Sequence, residues 1–282
     1  MPTGPTVIVA STRVRSERID AENQPLVAAL VERGADARVE PWDSPDDVAG
    51  WSAADLVAVR TTWDYTGRRD EFLAWARAVA ARTALQNPLE VLEWNSHKRY
   101  LVELSAAGVP VVPTRLVPAG STPEPLGPAR VVVKPAVSAG GRETFLGTGP
   151  ELSETLAGLA ATVDVLVQPA VESIGSEGEV SLIRLGDRWS HAVRKFPAAD
   201  GFLVHERHGG RLEDHEPTPR ELDVAEQALA HAPAPVHAAR VDLVRIDGEP
   251  VVMELELIEP ELFLRRAPEA AGRLADALLA SL

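Results

Sequence analysis

Two neighbouring segments near the C-terminal end limit the fold most. Ala239-Arg240-Val241-Asp242-Leu243-Val244 and Val251-Val252-Met253-Glu254-Leu255-Glu256-Leu257-Ile258-Glu259-Pro260 are apolar and β-branched, and Asp247-Gly248 between them is a hairpin turn signal. Residues two apart on a strand share a face, so Glu254 and Glu256 point one way, as do Arg240 and Asp242. If the hairpin joins those faces, three carboxylates and one guanidinium converge. Such carboxylates repel and lose hydration unless a cation neutralises them. An all-oxygen set suits Mg²⁺ or Mn²⁺, and Mg²⁺ is commonly shared between protein carboxylates and substrate phosphates, which points to a nucleotide site. An isolated Glu-x-Glu is also the pattern of a solvated edge strand.

At 282 residues the chain has length for one large or two to three small domains with a sizeable core. It contains no cysteine, which excludes disulfides, zinc-thiolate sites and thiol nucleophiles. A formal net charge of -14 argues against a general nucleic-acid binder, so an anionic ligand has to be met by locally placed Lys and Arg. No apolar run reaches the span of a membrane helix, and Met1 to Pro5 lacks a signal-peptide pattern; the expected location is the cytoplasm, without membrane contact. Nothing in the sequence assigns an oligomeric state.

The first third alternates strands (Thr6 to Ala10, Ala37 to Glu40, Leu56 to Val59) with helices (about Pro25 to Arg33, and Asp70 to Arg82), which predicts a parallel sheet covered by helices. Ligands of such sheets bind beyond the carboxyl ends of the strands, here Ser11 to Arg15 and the loop Arg60-Thr61-Thr62-Trp63-Asp64-Tyr65. That loop has the groups for a small zwitterion, Arg60 for a carboxylate and Asp64 for an ammonium, although Trp63 and Tyr65 also suit an anchor for the next helix. Asn95 is placed to cap a helix through Lys98, Tyr100, Leu101 and Leu104, which sets Lys98 at the positive helix end, a position suited to lysine only if it meets an anion.

After a proline-rich stretch, strand Val131 to Lys134 leads into Ser138-Ala139-Gly140-Gly141-Arg142, whose N–H groups could cradle phosphate. It has neither Walker nor G-x-G-x-x-G spacing, and glycine-rich hairpin turns are common. A helix over Glu151 to Ala161, strand Val165 to Gln168, a hairpin of Glu177 to Arg184 with Trp189 to Lys195, a polar loop Ala198 to Arg211, a helix opened by the capping box Thr218-Pro219-Arg220-Glu221, and a last helix from about Pro268 complete the chain. His191, His205 and His208 fit no standard zinc spacing.

The order of these features resembles the ATP-grasp superfamily: Lys98, Lys134 before a small-residue loop, Gln168-Pro169-Ala170-Val171, Glu177-Gly178-Glu179, Arg240-x-Asp242, then Glu254-x-Glu256, over roughly residues 94 to 260. The resemblance implies an α/β domain over residues 1–93 that binds substrate, then a two-lobed grasp, the first lobe over 94–168 and the second, with the metal site, over 169–282. It implies that Lys98 and Lys134 hold ATP phosphates, that Gln168 to Val171 contact adenine, and that Glu177 or Glu179 takes the ribose hydroxyls. Lys195 would lie near the γ-phosphate, Arg240 would steady the transferred group, and Asp242, Glu254 and Glu256 would bind Mg²⁺ or Mn²⁺. Many members have Glu in place of Gln168, and relatives often have Asn in place of Glu256.

More narrowly, Arg60 to Tyr65, Trp94 to Leu101 and Ser190 to Lys195 resemble the branch that contains the cyclo-ligase closing O-ureidoserine in cycloserine biosynthesis, where an Arg is usual at the position of Leu203. The implied activity is an ADP-forming ligase that phosphorylates the carboxylate of a small amino-acid-like molecule and joins it to an amine. Intramolecular ring closure is one alternative, and a non-catalytic ATP-binding regulator another.

Overall fold

The computed structural model describes residues 4–199, 201–204, 206 and 209–282. His205 and His208 lie outside the described residues. Three sheets form the frame. The first is wholly parallel, in the order β2-β1-β3-β4, from β1 (Thr6–Ser11), β2 (Asp36–Pro41), β3 (Leu56–Thr61) and the short β4 (Ala84–Gln86). Helices α1 (Glu17–Glu32), the one-turn α2 (Asp46–Ala49) and α3 (Arg69–Ala80) connect its strands. The sequence pattern started α1 at Pro25, about two turns too late. Ser16 caps it by accepting from the Ile19 N–H at 3.3 Å, and burial of Ile19, Leu26 and Leu30 on one face carries the helix through the proline.

Asn95 does not cap a helix, contrary to expectation. It ends α4 (Leu89–Asn95), and a turn carrying Lys98 separates it from α5 (Tyr100–Ala106), so Lys98 lies just before a helix and not on one. Next come β5 (Arg115–Val117), β6 (Arg130–Pro135), β7 (Phe145–Thr148), α6 (Gly149–Ala160) and β8 (Val165–Pro169), an antiparallel sheet in the order β5-β8-β6-β7 backed by α6. A one-turn α7 (Ile174–Glu177) precedes the largest sheet. That sheet is built from β9 (Glu179–Leu185), β10 (Arg188–Phe196), β11 (Arg211–Asp214), β12 (Ala238–Ile246) and β13 (Glu249–Glu256), in the order β11-β10-β9-β12-β13. Helix α8 (Pro219–Leu229), opened by the Thr218 to Glu221 capping box, and α9 (Ala270–Leu279) accompany it. No helix among the described residues is long and apolar enough to cross a membrane.

Alternation along β9 and β12 divides the largest sheet between two cores. Leu182, Ala239 and Val241 pack with Leu101, Leu104, Val224 and Ala228, whereas Ile183, Leu185 and Ala238 pack with Val7, Leu26, Leu30 and Leu274. The parallel sheet therefore shares a core with the back of the antiparallel one. The segment that leaves β13, residues 257–264, is fixed between them by side chains from the first hundred residues. Asn95 donates to the Leu255 carbonyl at 3.0 Å and accepts from Leu257 N–H at 2.8 Å. Asn87 donates to the Leu257 and Ala238 carbonyls at 2.6 and 2.8 Å and accepts from His237 N–H at 2.7 Å. Arg60 donates to the Pro260 carbonyl at 3.0 Å, Trp63 to the Glu259 carbonyl at 2.9 Å, and Glu22 accepts from the N–H groups of Leu262 and Leu264 at 2.8 and 3.1 Å.

Replacing Asn87 by Ala orphans buried backbone groups on two segments at once, and each unsatisfied group costs about 1–3 kcal/mol. Asn87→Ala is expected to lower the urea unfolding midpoint by the equivalent of roughly 2–4 kcal/mol, where Ala at exposed Glu90 leaves it unchanged.

Candidate active site

The β12–β13 register sets Arg240 opposite Glu256 and Asp242 opposite Glu254, so the predicted convergence of three carboxylates and a guanidinium is present. A shift in pairing just after Asp242 ends that alignment. Arg240 is buried and donates from Nε and Nη2 to the Asp242 carboxylate at 3.0 and 2.8 Å, and from Nη2 to Glu256. Asp242 also accepts from Ser181 Oγ at 2.5 Å and lies 3.3 Å from Lys195 Nζ, which in turn pairs with Glu179.

Lys98 reaches the same cluster from the other side. Its backbone N–H is bound by the Ala136 carbonyl at 2.8 Å, and its ammonium meets the Ser138 carbonyl and, at 3.1 Å, Glu254. Lys134, at the end of β6, is equally buried, yet among the described residues no carboxylate lies within ion-pair distance of it. Burial holds its pKa below the ordinary lysine value against the pull of Glu254. Burial works the same way on Lys195, but Asp242 and Glu179 outweigh it and raise that pKa. Against burial, Arg240 and Lys195 hold Asp242 well below the usual carboxylate range, and Lys98 and Lys134 lower Glu254. Burial wins at Glu256, pushed up to about 8.

Lys98, Lys134, Arg240, Asp242, Glu254 and Glu256 line one cleft of about 830 Å³, together with Gly140, Gly141, Gln168, Pro169, Val171, Glu179 and Met253, while Lys195 stands behind Glu179 and Asp242. Gly140 and Gly141 have φ of 62° and 74°, the left-handed geometry that turns successive N–H groups toward one side. A Cβ on Gly141 would come within 2.8 Å of Leu203, which packs on this loop and lines the cleft beside Phe202 and Val204. Gln168 donates from its amide nitrogen to Thr114 Oγ1 at 2.9 Å, which leaves the amide oxygen as its acceptor. The Ala170 N–H is bound by the Arg130 carbonyl at 3.0 Å, and Ala170 is not among the lining residues. Glu177 ends α7 and does not start β9 as expected; it is exposed, 3.6 Å from Arg245, and Glu179 is the member of that pair that faces the cleft. Asp242, Glu254 and Glu256 supply the oxygen-only donors a hard divalent cation requires. In this arrangement Lys98 and Arg240 neutralise them, and among the described residues no acidic or histidine cluster forms a preassembled metal cage.

A second cleft, of about 710 Å³, adjoins the first and shares Ala139, Gly140, Arg240 and Glu256 with it; Arg18, Trp63, Arg142, Glu259 and Glu261 form its remaining walls. Most residues expected to bind substrate lie elsewhere. Ser11 and Thr61 are buried and hydrogen-bonded to each other at 2.7 Å and to Asn23, and they join β1, β3 and α1. Arg60 is fully buried, 3.5 Å from Glu22, and is occupied in holding Pro260. Asp64 accepts from Trp42 Nε1 and Arg68, and Arg15 pairs with Asp20 on the surface. Of the six, Trp63 alone lines either cleft, with the Arg18 guanidinium 4.5 Å above its ring. The late start assigned to α1 concealed Arg18.

Residues 6–87 match the family model described as the D-cycloserine synthetase DcsG N-terminal domain. The cycloserine biosynthesis protein DcsG of Streptomyces lavendulae is 33% identical over 96% of this chain and 97% of its own length. The chain belongs to the DcsG family of ATP-grasp ligases. A crystal structure of D-cycloserine synthetase DcsG superposes with a TM-score of 0.86 at 31% identity, over 98% of this chain and 99% of that one. An ATP complex of D-alanine–D-alanine ligase from Bacillus anthracis shares the fold, with a TM-score of 0.72 at 16% identity over 98% and 97% of the two chains. As an ATP-grasp ligase of this family, the protein uses ATP to form a carbon–nitrogen bond and releases ADP.

Removing Arg240 leaves the buried Asp242 carboxylate with Lys195 as its counter-ion and takes from Glu256 its partner. Arg240→Ala is expected to cost about 3–5 kcal/mol of stability in urea unfolding. In the Arg240→Ala/Glu256→Gln double variant the loss is smaller, because the side chain at 256 then has no ion pair to lose and no proton to take up.

Proposed function

We propose that the protein is an Mg²⁺-dependent cyclo-ligase acting on a small amino acid of the O-ureidoserine type. The observation that carries the reading is the first cleft itself, where Lys98, Lys134 and Arg240 meet Asp242, Glu254 and Glu256 beside a glycine turn, with Lys195 paired to Asp242 behind them. The name of the 33% identical relative, a cycloserine biosynthesis protein, supports ring closure as the version of carbon–nitrogen ligation performed. The division of labour follows the three sheets: residues 1–93 and the segment after β13 hold the amino acid, 94–168 close over the phosphates, and 169–282 carry the acidic cluster.

In this reading Gln168 and the backbone of Pro169 to Val171 receive the adenine, and Glu179 or Glu177 the ribose. Lys98, Lys134 and the N–H groups around Ser138, Gly140 and Gly141 hold the phosphates. Asp242, Glu254 and Glu256 would hold Mg²⁺, which when bound offsets phosphate charge. A substrate carboxylate oxygen then attacks the γ-phosphorus and the bond to ADP breaks. Charge accumulates on the transferred group, where Arg240 and Lys195 are already desolvated and fixed, so no reorganisation energy is spent at that moment. Nitrogen of the same molecule attacks the acyl carbon and phosphate leaves. The protein provides position and field, and needs no nucleophile of its own.

The test is ADP release with ATP, Mg²⁺ and O-ureidoserine alone, compared with pairs of simple amino acids. Turnover with the single compound is expected, and turnover only with a pair would replace ring closure by intermolecular ligation. ATP binding with no turnover on either would leave a nucleotide-binding protein. Glu254→Gln is expected to lower kcat by about 10²–10³-fold, the scale for loss of one preorganised charge contact; a variant at wild-type rate would remove Glu254 from the metal site. Lys134→Met is expected to raise KM for ATP by about tenfold or more, since a charged hydrogen bond is worth about 1.5–3 kcal/mol.

A further inference from the structure

The second cleft presents three carboxylates and three guanidinium groups, and all but one of each are matched. Glu256 is bound by Arg240, and Glu261 by Arg18 and Arg265. Arg18 is committed to Glu261 and the Trp63 ring, Arg240 to Asp242 and Glu256. Glu259 remains, with no Lys, Arg or His within ion-pair distance of its carboxylate among the described residues. Arg142 remains too; its guanidinium meets the Thr66 hydroxyl and, among the described residues, no carboxylate.

We propose that this unmatched pair recognises the substrate's α-amino-acid zwitterion, its ammonium on Glu259 and its carboxylate on Arg142. The assignment rests on the ligase reading above and adds to it the groups that select the substrate. Glu259 is placed firmly: Trp63 holds its carbonyl, and Arg60 holds the next one along. Arg142 directly follows Gly140 and Gly141, and this loop lines both clefts. Arg142 and the glycines that line the first cleft thus belong to one loop, and Arg142 itself lines the second. Burial pushes the Glu259 carboxyl up to about 7, the behaviour of an acid without a counter-ion, and a ligand ammonium supplies one. A zwitterion neutralises both residues together, whereas a simple amine leaves Arg142 and a simple acid leaves Glu259 without a counter-charge.

The experiment is calorimetric titration of the full chain, saturated with a non-hydrolysable ATP analogue and Mg²⁺. The probes are O-ureido-D-serine and O-ureido-L-serine, their N-acetyl derivatives and their methyl esters, with ADP release from ATP measured on the same probes. For wild type, N-acetylation and esterification are each expected to raise Kd at least tenfold, the scale of one lost charge-assisted hydrogen bond. Glu259→Gln should bind the free amino acid at least tenfold more weakly, with its N-acetyl penalty shrinking below threefold while the ester penalty persists. Arg142→Met should show the converse. Penalties unchanged in both variants, or a wild type that binds the blocked compounds as tightly as the free one or binds none, overturn the assignment. The charge pattern without ADP release sustains the site and removes the ring-closure reading; ADP release without the pattern does the reverse.

Discussion

The structure depends on how the backbone beyond β13 is satisfied. A segment that leaves a sheet and runs between two layers loses its ladder partners, and a buried amide or carbonyl without a partner is costly. Here Asn87, Asn95, Arg60, Trp63 and Glu22 supply those partners from the first hundred residues. Tyr100 adds to them, donating to the Leu255 carbonyl at 2.9 Å. Both clefts are bordered by this stretch or by the strand end that feeds it. The shared apolar core behind β9 and β12 brings the layers together, and the side-chain bonds set their register.

Charge follows a similar economy. Asp242, Glu254 and Glu256 are tolerable in the interior because Arg240, Lys98 and Lys195 lie among them, at distances that offset much of the desolvation. The pairs are unequal. Lys134 has no acidic partner within ion-pair distance among the described residues, and Glu256 is pushed toward neutrality. A polyanionic ligand arriving with a divalent cation would therefore exchange internal pairs for external ones, and would not simply fill an inert slot.

Much of this was legible in the sequence where local chemistry is decisive. The Asp247-Gly248 turn marked the hairpin, the two-residue alternation put Glu254 and Glu256 on one face, and the Thr218 capping box marked the start of α8. Reading failed where tertiary burial overrides a local signal. Pro25 looked like a helix start but lies inside α1. Asn95 looked like a cap, yet its side chain serves a strand some 160 positions away, a partner that no local pattern contains. The loop Arg60 to Asp64 looked like a ligand site because it is rich in polar groups. Arg60 and Trp63 hold a backbone segment, Thr61 and Asp64 bond to neighbouring side chains, and only Trp63 also faces a cleft. Arg142 and Glu261 carry no motif of their own and become visible only once the layers are in place.

The segment after β13 is gripped through its carbonyls and N–H groups at Leu257, Glu259, Pro260, Leu262 and Leu264. Backbone atoms are common to nearly all residues, so the grip does not depend on which side chains stand at 259 and 261. Position 259 faces the chamber with its carboxylate outside that grip, whereas Glu261 is buried and paired with Arg18 and Arg265. The wall of the chamber at Glu259 is thus held by main-chain atoms, and its side chain is left to meet whatever enters.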